Sequence, residues 1–296
     1  MLVFTSHLVF SQDIKVVSNE QVQIPTSGGY YPILSPTGDY LIISGSDMQG
    51  LKKYDLTTKQ LTTLTDGKSA GFGAKISTDG KTVVYRTSSY KNRLRYVSLH
   101  TLNVETGKTT TLIKDTRDLQ GVSMAQGTVL AVNKGKLVQK RLGGEKLSTV
   151  PPVPSIKEGK LYVTVGNQTK LVDPAGKEAS YLWASISPDG KKLLYYVINT
   201  GKAYVSNIDG SNPISLGTMH APIWMGNNWV IGMLDRDNGE VITASKIIAV
   251  KANGTSRTAL TDDSVIAMEP SVSLDATKIA YNTADGKIFI MQVETK

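Results

Sequence analysis

Trp183-Ala184-Ser185-Ile186-Ser187-Pro188-Asp189-Gly190-Lys191-Lys192-Leu193-Leu194-Tyr195-Tyr196 reads as a short strand, a Ser-Pro-Asp-Gly turn and a second, apolar strand. The same pattern recurs along the chain. Ser35-Pro36-Thr37-Gly38-Asp39 precedes Tyr40-Leu41-Ile42-Ile43, and Ser77-Thr78-Asp79-Gly80-Lys81 precedes Thr82-Val83-Val84-Tyr85. Ser273-Leu274-Asp275-Ala276-Thr277-Lys278 precedes Ile279-Ala280-Tyr281. The first two copies set a period of about 42 residues, the size of a four-stranded propeller blade, and the wider gaps further on leave room for degenerate copies.

Traced this way, the chain yields an all-β single β-propeller of seven blades, or six should the weak third and fourth units merge. Middle strands such as Leu193–Val197 are continuous apolar runs, as expected of strands covered on both faces by neighbouring blades. The turns carry Asp209-Gly210, Asn253-Gly254 and Asp285-Gly286, residue pairs that tolerate positive φ. The third unit is expected to keep a fourth strand over Glu145–Val150, whereas the fourth unit offers only three. The last unit also supplies three strands, over Glu269–Ser273, Lys278–Thr283 and Lys287–Val293. The β-rich stretch Ile14–Ile24 is left without a blade, so it is expected to complete the C-terminal blade and close the ring, which removes two free sheet edges.

Composition narrows the function classes. The 296 residues are 40% hydrophobic and 20% charged, enough for a large core, and contain no cysteine, so thiol nucleophiles, disulfides and thiolate metal sites are excluded. No window approaches the roughly 20 apolar residues of a membrane-spanning helix. The net charge of +8 invites a nucleic-acid reading. Its clusters, at Lys91, Arg93 and Arg95 and at Lys134, Lys136, Lys140 and Arg141, are instead read as solvated strand edges, with no nucleic-acid partner. At the N-terminus, Leu2–Phe10 followed by Ser11-Gln12-Asp13 looks like the end of a secretory signal lacking its charged first part. Residues 1–11 are therefore read as a signal remnant and 12–296 as the propeller, exported to the periplasm or the cell exterior.

Candidate chemistry is sparse. Gly67-Lys68-Ser69-Ala70-Gly71 matches the nucleophile-elbow spacing but falls in a loop between blades, where no helix follows. Its Gly-Lys-Ser lacks the upstream glycine of a phosphate loop, since Thr62 stands there. Asp235-Arg236-Asp237-Asn238-Gly239-Glu240 spaces oxygens as a small calcium loop would, with Asp235 and Asp237 as ligands, although a third ligand and the distal glutamate are missing. A polar hairpin is the plainer reading. Outside the N-terminal stretch the only histidines are His100, placed within a strand, and His220, placed before an inner strand where it can face the central funnel.

Propellers bind ligands on the face made by the loops that lead into each inner strand and those joining strands two and three. Projected there, the sequence offers Tyr31, Tyr90, Arg93, Tyr181, Trp183, His220, Trp224, Arg236 and Glu269, with Tyr30, Phe72 and Asp47 nearby. An aromatic rim of mixed charge is typical of surfaces that bind protein or sugar.

The recurring Xaa-Pro-Xaa-Xaa-Ser-Pro-Asp-Gly-Lys pattern resembles the repeat of TolB-type β-propellers. It stands whole or in part at Tyr31-Pro32…Ser35-Pro36, Ala221-Pro222 and Glu269-Pro270…Ser273, and only the unit at Ser187 carries the full Ser-Pro-Asp-Gly-Lys. The resemblance implies a non-catalytic scaffold of the bacterial cell envelope that engages a protein partner through the funnel. Some propellers resembling this one are lyases of pectin fragments that hold a metal with several histidines, which makes glycan binding or lyase chemistry at the same face the alternative. Two histidines cannot reproduce that cluster.

Overall fold

The computed structural model describes residues 13–26, 28–143 and 146–296. The apolar stretch read as a signal remnant lies outside the described residues. The described chain folds as seven antiparallel sheets, six with their strands neighbouring one another in chain order and one that adds the first strand to the last three, and so as a seven-bladed propeller. The inner strands, in order, are Tyr30–Leu34, Lys75–Ile76, Leu119–Ala125, Val153–Lys157, Tyr181–Ile186, His220–Met225 and Ala267–Val272. Blades 3 and 4 have three strands each. The fourth strand expected for blade 3 does not form: residues 146–150 carry no strand, and Gly144 and Glu145 lie outside the described residues.

The ring closes as the sequence suggests. Ile14–Val22 pairs antiparallel with Ile288–Thr295, in a register running from Ile14 opposite Thr295 to Val22 opposite Ile288. One blade therefore holds both ends of the described chain, and opening the ring means unzipping a strand.

Burial explains why the middle strands are apolar at consecutive positions. All five residues of Tyr40–Ser44 are buried. One face packs Ile42 and Leu51 against Val83, Tyr85 and Leu102 of blade 2. The other packs Leu41, Ile43 and Tyr54 against Ala280 and Ile288 of blade 7. The same arrangement joins blades 6 and 7, where Ile231, Ile247 and Ala249 meet Ile279, Tyr281 and Met291. At about 25 cal/mol per Å² of apolar surface removed from water, these interblade layers are the main source of stability.

The repeated turn is fixed by its serine. Ser187 Oγ, buried, donates to Asp189 Oδ1 at 2.6 Å and accepts from the N–H of Lys192 at 2.9 Å. Ser77 and Ser273 do the same with Asp79 and Thr82 and with Asp275 and Lys278. Blade 1 has Thr37 where the others have aspartate. There Ser35 and Thr37 both donate to Asp39 instead, at 2.5 and 2.7 Å, so the missing carboxylate is supplied two residues later. These turns lie on the face opposite the funnel and leave it free for function.

Candidate functional site at the funnel mouth

The inner strands of blades 1, 5, 6 and 7 are each broken by a bulge near the start, whereas Val153–Lys157 of blade 4 pairs without a break. The ladder skips between Tyr30 and Ile33, Leu182 and Ser185, His220 and Ile223, and Met268 and Ser271. The skipped residues Tyr31, Trp183, Ala221 and Glu269 have φ of 51°, 49°, 44° and 52°, and Gly73 in blade 2 has 61°. Positive φ costs a residue with a Cβ roughly 1–2 kcal/mol. The bulge turns that residue out of the strand's alternation and toward the funnel. It also explains the Xaa-Pro pattern, because Pro32, Pro222 and Pro270 sit where the ladder has already lost a bond and needs no N–H.

A bulge leaves backbone N–H groups without a ladder partner, and the preceding blade supplies replacements. Asn282 Oδ1 accepts from the N–H of Tyr31 at 3.0 Å, and Met233 Sδ accepts from the N–H of Glu269 at 3.1 Å. Asn282 and Met233 occupy the same place on the second strands of blades 7 and 6, level with the bulge. In blade 5 that place is held by Tyr196, which reaches His220 of blade 6.

Around Tyr196 lies the densest chemistry of the funnel. The Tyr196 hydroxyl is 2.8 Å from His220 Nε2, and His220 Nδ1 is 2.7 Å from Asp235 Oδ1. With the carboxylate accepting, the ring proton sits on Nδ1, and Nε2 accepts from the tyrosine O–H. Burial and the nearby Asp235 charge raise the Tyr196 hydroxyl above its usual range. Trp183 stands over the pair, its ring 5.0 Å from that of Tyr196 and 5.7 Å from that of His220, and is 42% exposed. Burial, then the Asp235 charge, lifts the Glu269 carboxyl above its ordinary range. Burial followed by Glu269 and Asp47 does the same to the Tyr31 phenol.

The structure gathers Tyr31, Trp183, His220 and Glu269 at the bulges, puts Tyr181 and Trp224 against the core, and leaves Tyr90, Arg93 and Arg236 on the hairpins that join strands two and three. Tyr181 is fully buried, its ring 5.8 Å from that of Tyr195. Its hydroxyl donates to Asp173 and accepts from the N–H of Ala175, and burial pushes it up to about 12. Two residues before the bulge, it belongs to the core between blades 4 and 5. Trp224, three residues past the blade-6 bulge, packs against the core between blades 5 and 6. Tyr90 and Arg93 stand at the tip of the long hairpin formed by Thr82–Lys91 and Leu94–Asn103, with Asn92 and Arg93 both at positive φ in its two-residue turn. Arg236 is exposed on the long hairpin of blade 6.

The two aspartates weighed as calcium ligands have separate partners. Asp235 bonds His220, whereas Asp237 Oδ1 accepts the N–H of Gly239 in its own turn. Among the described residues, no three His, Asp or Glu side chains converge as metal ligands. His100 is held by Thr87 and Thr111 and stacks on Tyr85, away from His220. The residues present therefore do not fit a metal held by several histidines. Ser69 of the elbow-like stretch bonds Ser88, with no helix behind it. A groove of about 620 Å³ beside Val22, Tyr54 and Lys278 follows the closing strand and lies apart from these groups.

Sequence reasoning missed Tyr196, Met233 and Asn282 because they sit inside runs read as core. The available signal was register: each lies on the second strand, level with a bulged residue.

No protein-family model matches the chain, and no curated protein matches it in sequence. Solved structures share its fold. An oligogalacturonate lyase from Vibrio parahaemolyticus is 14% identical, with 95% of this chain and 98% of that one covered and a TM-score of 0.55. TolB from Acinetobacter baumannii is 13% identical, with 83% of this chain covered, 57% of TolB spanned and a TM-score of 0.54. An oligogalacturonate lyase in complex with manganese is 12% identical over 90% of this chain and 78% of that one, with a TM-score of 0.51. The chain is thus a seven-bladed β-propeller structurally similar to TolB and oligogalacturonate lyase at low sequence identity.

Proposed function

We propose that the protein is a non-catalytic scaffold of the bacterial cell envelope that binds a segment of a protein partner at its funnel mouth. The observation that carries this reading is Trp183, an exposed ring on a positive-φ bulge, backed by Tyr196 and His220. A large side chain held by its backbone and by two neighbouring rings loses little further freedom on binding, and tryptophans of this kind dominate protein interfaces. Trp183 packs on His220, which bonds Asp235, and the Asp235 charge is felt by Glu269 and that of Glu269 by Tyr31, so an apolar anchor and polar groups of the kind such interfaces use are linked at the mouth. His220 has both ring nitrogens bonded, so no free imidazole base faces the ligand. The envelope location is supported by the apolar stretch Leu2–Phe10 alone.

A sugar is the second reading, favoured by the same Trp183 ring, which can stack on a pyranose while Glu269 and Tyr31 bond its hydroxyls. Crosslinked pull-down from envelope extract, with the parent chain and Trp183→Ala side by side, tests the first reading. A protein recovered by the parent and lost by the variant is the expected result. Recovery of nothing by the parent, together with Trp183-dependent retention on a glycan array, would transfer the function to the second.

A further inference from the structure

The wall of blade 2 breaks the rule followed by blades 5, 6 and 7. At the second-strand place held there by Tyr196, Met233 and Asn282, each bonded to the next blade, blade 2 has Arg86. The register pairs Lys75 with Val84, so Arg86, two residues on, lies on the same sheet face as Lys75 and level with Gly73. Arg86 Nε is buried without a hydrogen-bond partner. Neither Arg86 nor Lys75 forms an ion pair among the described residues.

Charge makes this arrangement costly. Burial, then the Arg95 charge, pulls the half-buried Arg86 guanidinium down to about 10, and desolvation by the surrounding walls, then the Arg86 charge, lowers the Lys75 ammonium, although Lys75 itself is open to solvent. No acid contributes to either shift. With Lys75 open to solvent, the cost falls on Arg86: a half-buried guanidinium with like charges beside it and no counter-charge opposes folding, and removing such a charge commonly stabilises a protein.

The space for a counter-ion is present. At the bulge position, where blades 1, 5 and 7 project Tyr31, Trp183 and Glu269 into the funnel, blade 2 has Gly73, and a Cβ built there meets nothing within 4 Å. The Phe72 ring, 5.7 Å from the Arg86 guanidinium carbon, is 46% exposed beside this gap.

We propose that Lys75 and Arg86 form an oxyanion-binding site in the funnel wall of blade 2, entered over Gly73, that takes a carboxylate or phosphate group of a ligand. The guanidinium supplies a planar fork of donors, and the ammonium supplies a second charge from the adjacent strand. The site is separate from the Trp183 cluster in blade 5 and does not depend on what that cluster binds.

The test is thermal unfolding of the full chain at fixed ionic strength in sodium chloride, with acetate, phosphate or sulfate replacing chloride stepwise. A saturating rise in the unfolding temperature is expected for at least one oxyanion, and comparing the three arms separates carboxylate from phosphate preference. Arg86→Gln and Lys75→Gln are expected to abolish that rise, and Arg86→Gln is expected to unfold at a higher temperature than the parent in chloride alone. An equal response to every anion including chloride, or a rise retained in the variants, overturns the site. Should Arg86→Gln fail to fold, Lys75→Gln on the exposed inner strand decides the question alone. Trp183→Ala is expected to keep the anion response even where it loses the protein partner, so failure of either proposal leaves the other standing.

Discussion

Asn282 Oδ1 accepts a 3.0 Å hydrogen bond from the backbone N–H of Tyr31, across 251 residues of chain and the seam between the last blade and the first. The acceptor is 2% exposed, and its amide nitrogen donates to the carbonyl of Thr283. The side chain thus satisfies the N–H freed by the blade-1 bulge at the seam where the ring closes.

Replacing Asn282 with alanine leaves that N–H without its partner in a buried site, while the Thr283 carbonyl keeps the N–H of Gly286. A loss of about 1–3 kcal/mol is expected, measured by urea denaturation with an unchanged m-value. A loss below about 0.5 kcal/mol would mean that water replaces the amide and that the bulge does not need its neighbour.

Trp183 allows the bulge conformation to be tested apart from the ring. Inside an ordinary strand, glycine is the poorer replacement, because it adds freedom to the unfolded chain. At φ of 49° the order should invert. Trp183→Gly is expected to be more stable than Trp183→Ala by roughly 1 kcal/mol, with both losing the partner in pull-down. The opposite order would show that the backbone does not keep its positive φ once the ring is gone.

Glu269 ties the funnel to pH. Its carboxyl is held above the ordinary value of 4.5 by burial and by the Asp235 charge. The folded state therefore binds this proton more tightly than the unfolded state, and its contribution to stability falls as pH rises from about 4.5 through the folded value. Glu269→Gln removes the penalty. Its advantage over the parent is expected to be absent below pH 4.5, to grow across that window and then to level off, read from unfolding midpoints over a pH series. A variant that is less stable than the parent at neutral pH would show that the carboxylate has a stabilising partner in the funnel.

How much of this was legible in the sequence follows from where each signal resides. The Ser-Pro-Asp-Gly turns and their apolar second strands are local, so the period, the seven blades and the closing strand could be read directly. The Xaa-Pro pairs at Tyr31, Ala221 and Glu269 were visible as a motif, but their meaning as bulges depends on pairing with a second strand. Tyr181 and Trp183 are two residues apart and equally aromatic, yet one is core and the other faces the funnel, because alternation alone does not show the bulge between them. Tyr196 and Arg86 were hidden for the opposite reason. Tyr196 lies within an apolar run and Arg86 directly follows one, and only the structure reveals whether the side chain has a partner.

Ile14 is where the closing strand is anchored. It is 1% exposed, pairs with Thr295 and packs in one cluster with Leu260 and Val293. Truncation to alanine should cost about 2–5 kcal/mol through lost burial and the cavity left behind. The loss should first appear as faster amide exchange along Ile14–Val22 and Ile288–Thr295, because unzipping these strands opens the ring without disturbing any other blade. Exchange that instead quickens equally in Tyr40–Ser44 and Lys192–Val197 would mean that the ring opens only by unfolding as a whole. In that case closure is part of one cooperative unit, and stabilising the seam would slow the unfolding of every blade.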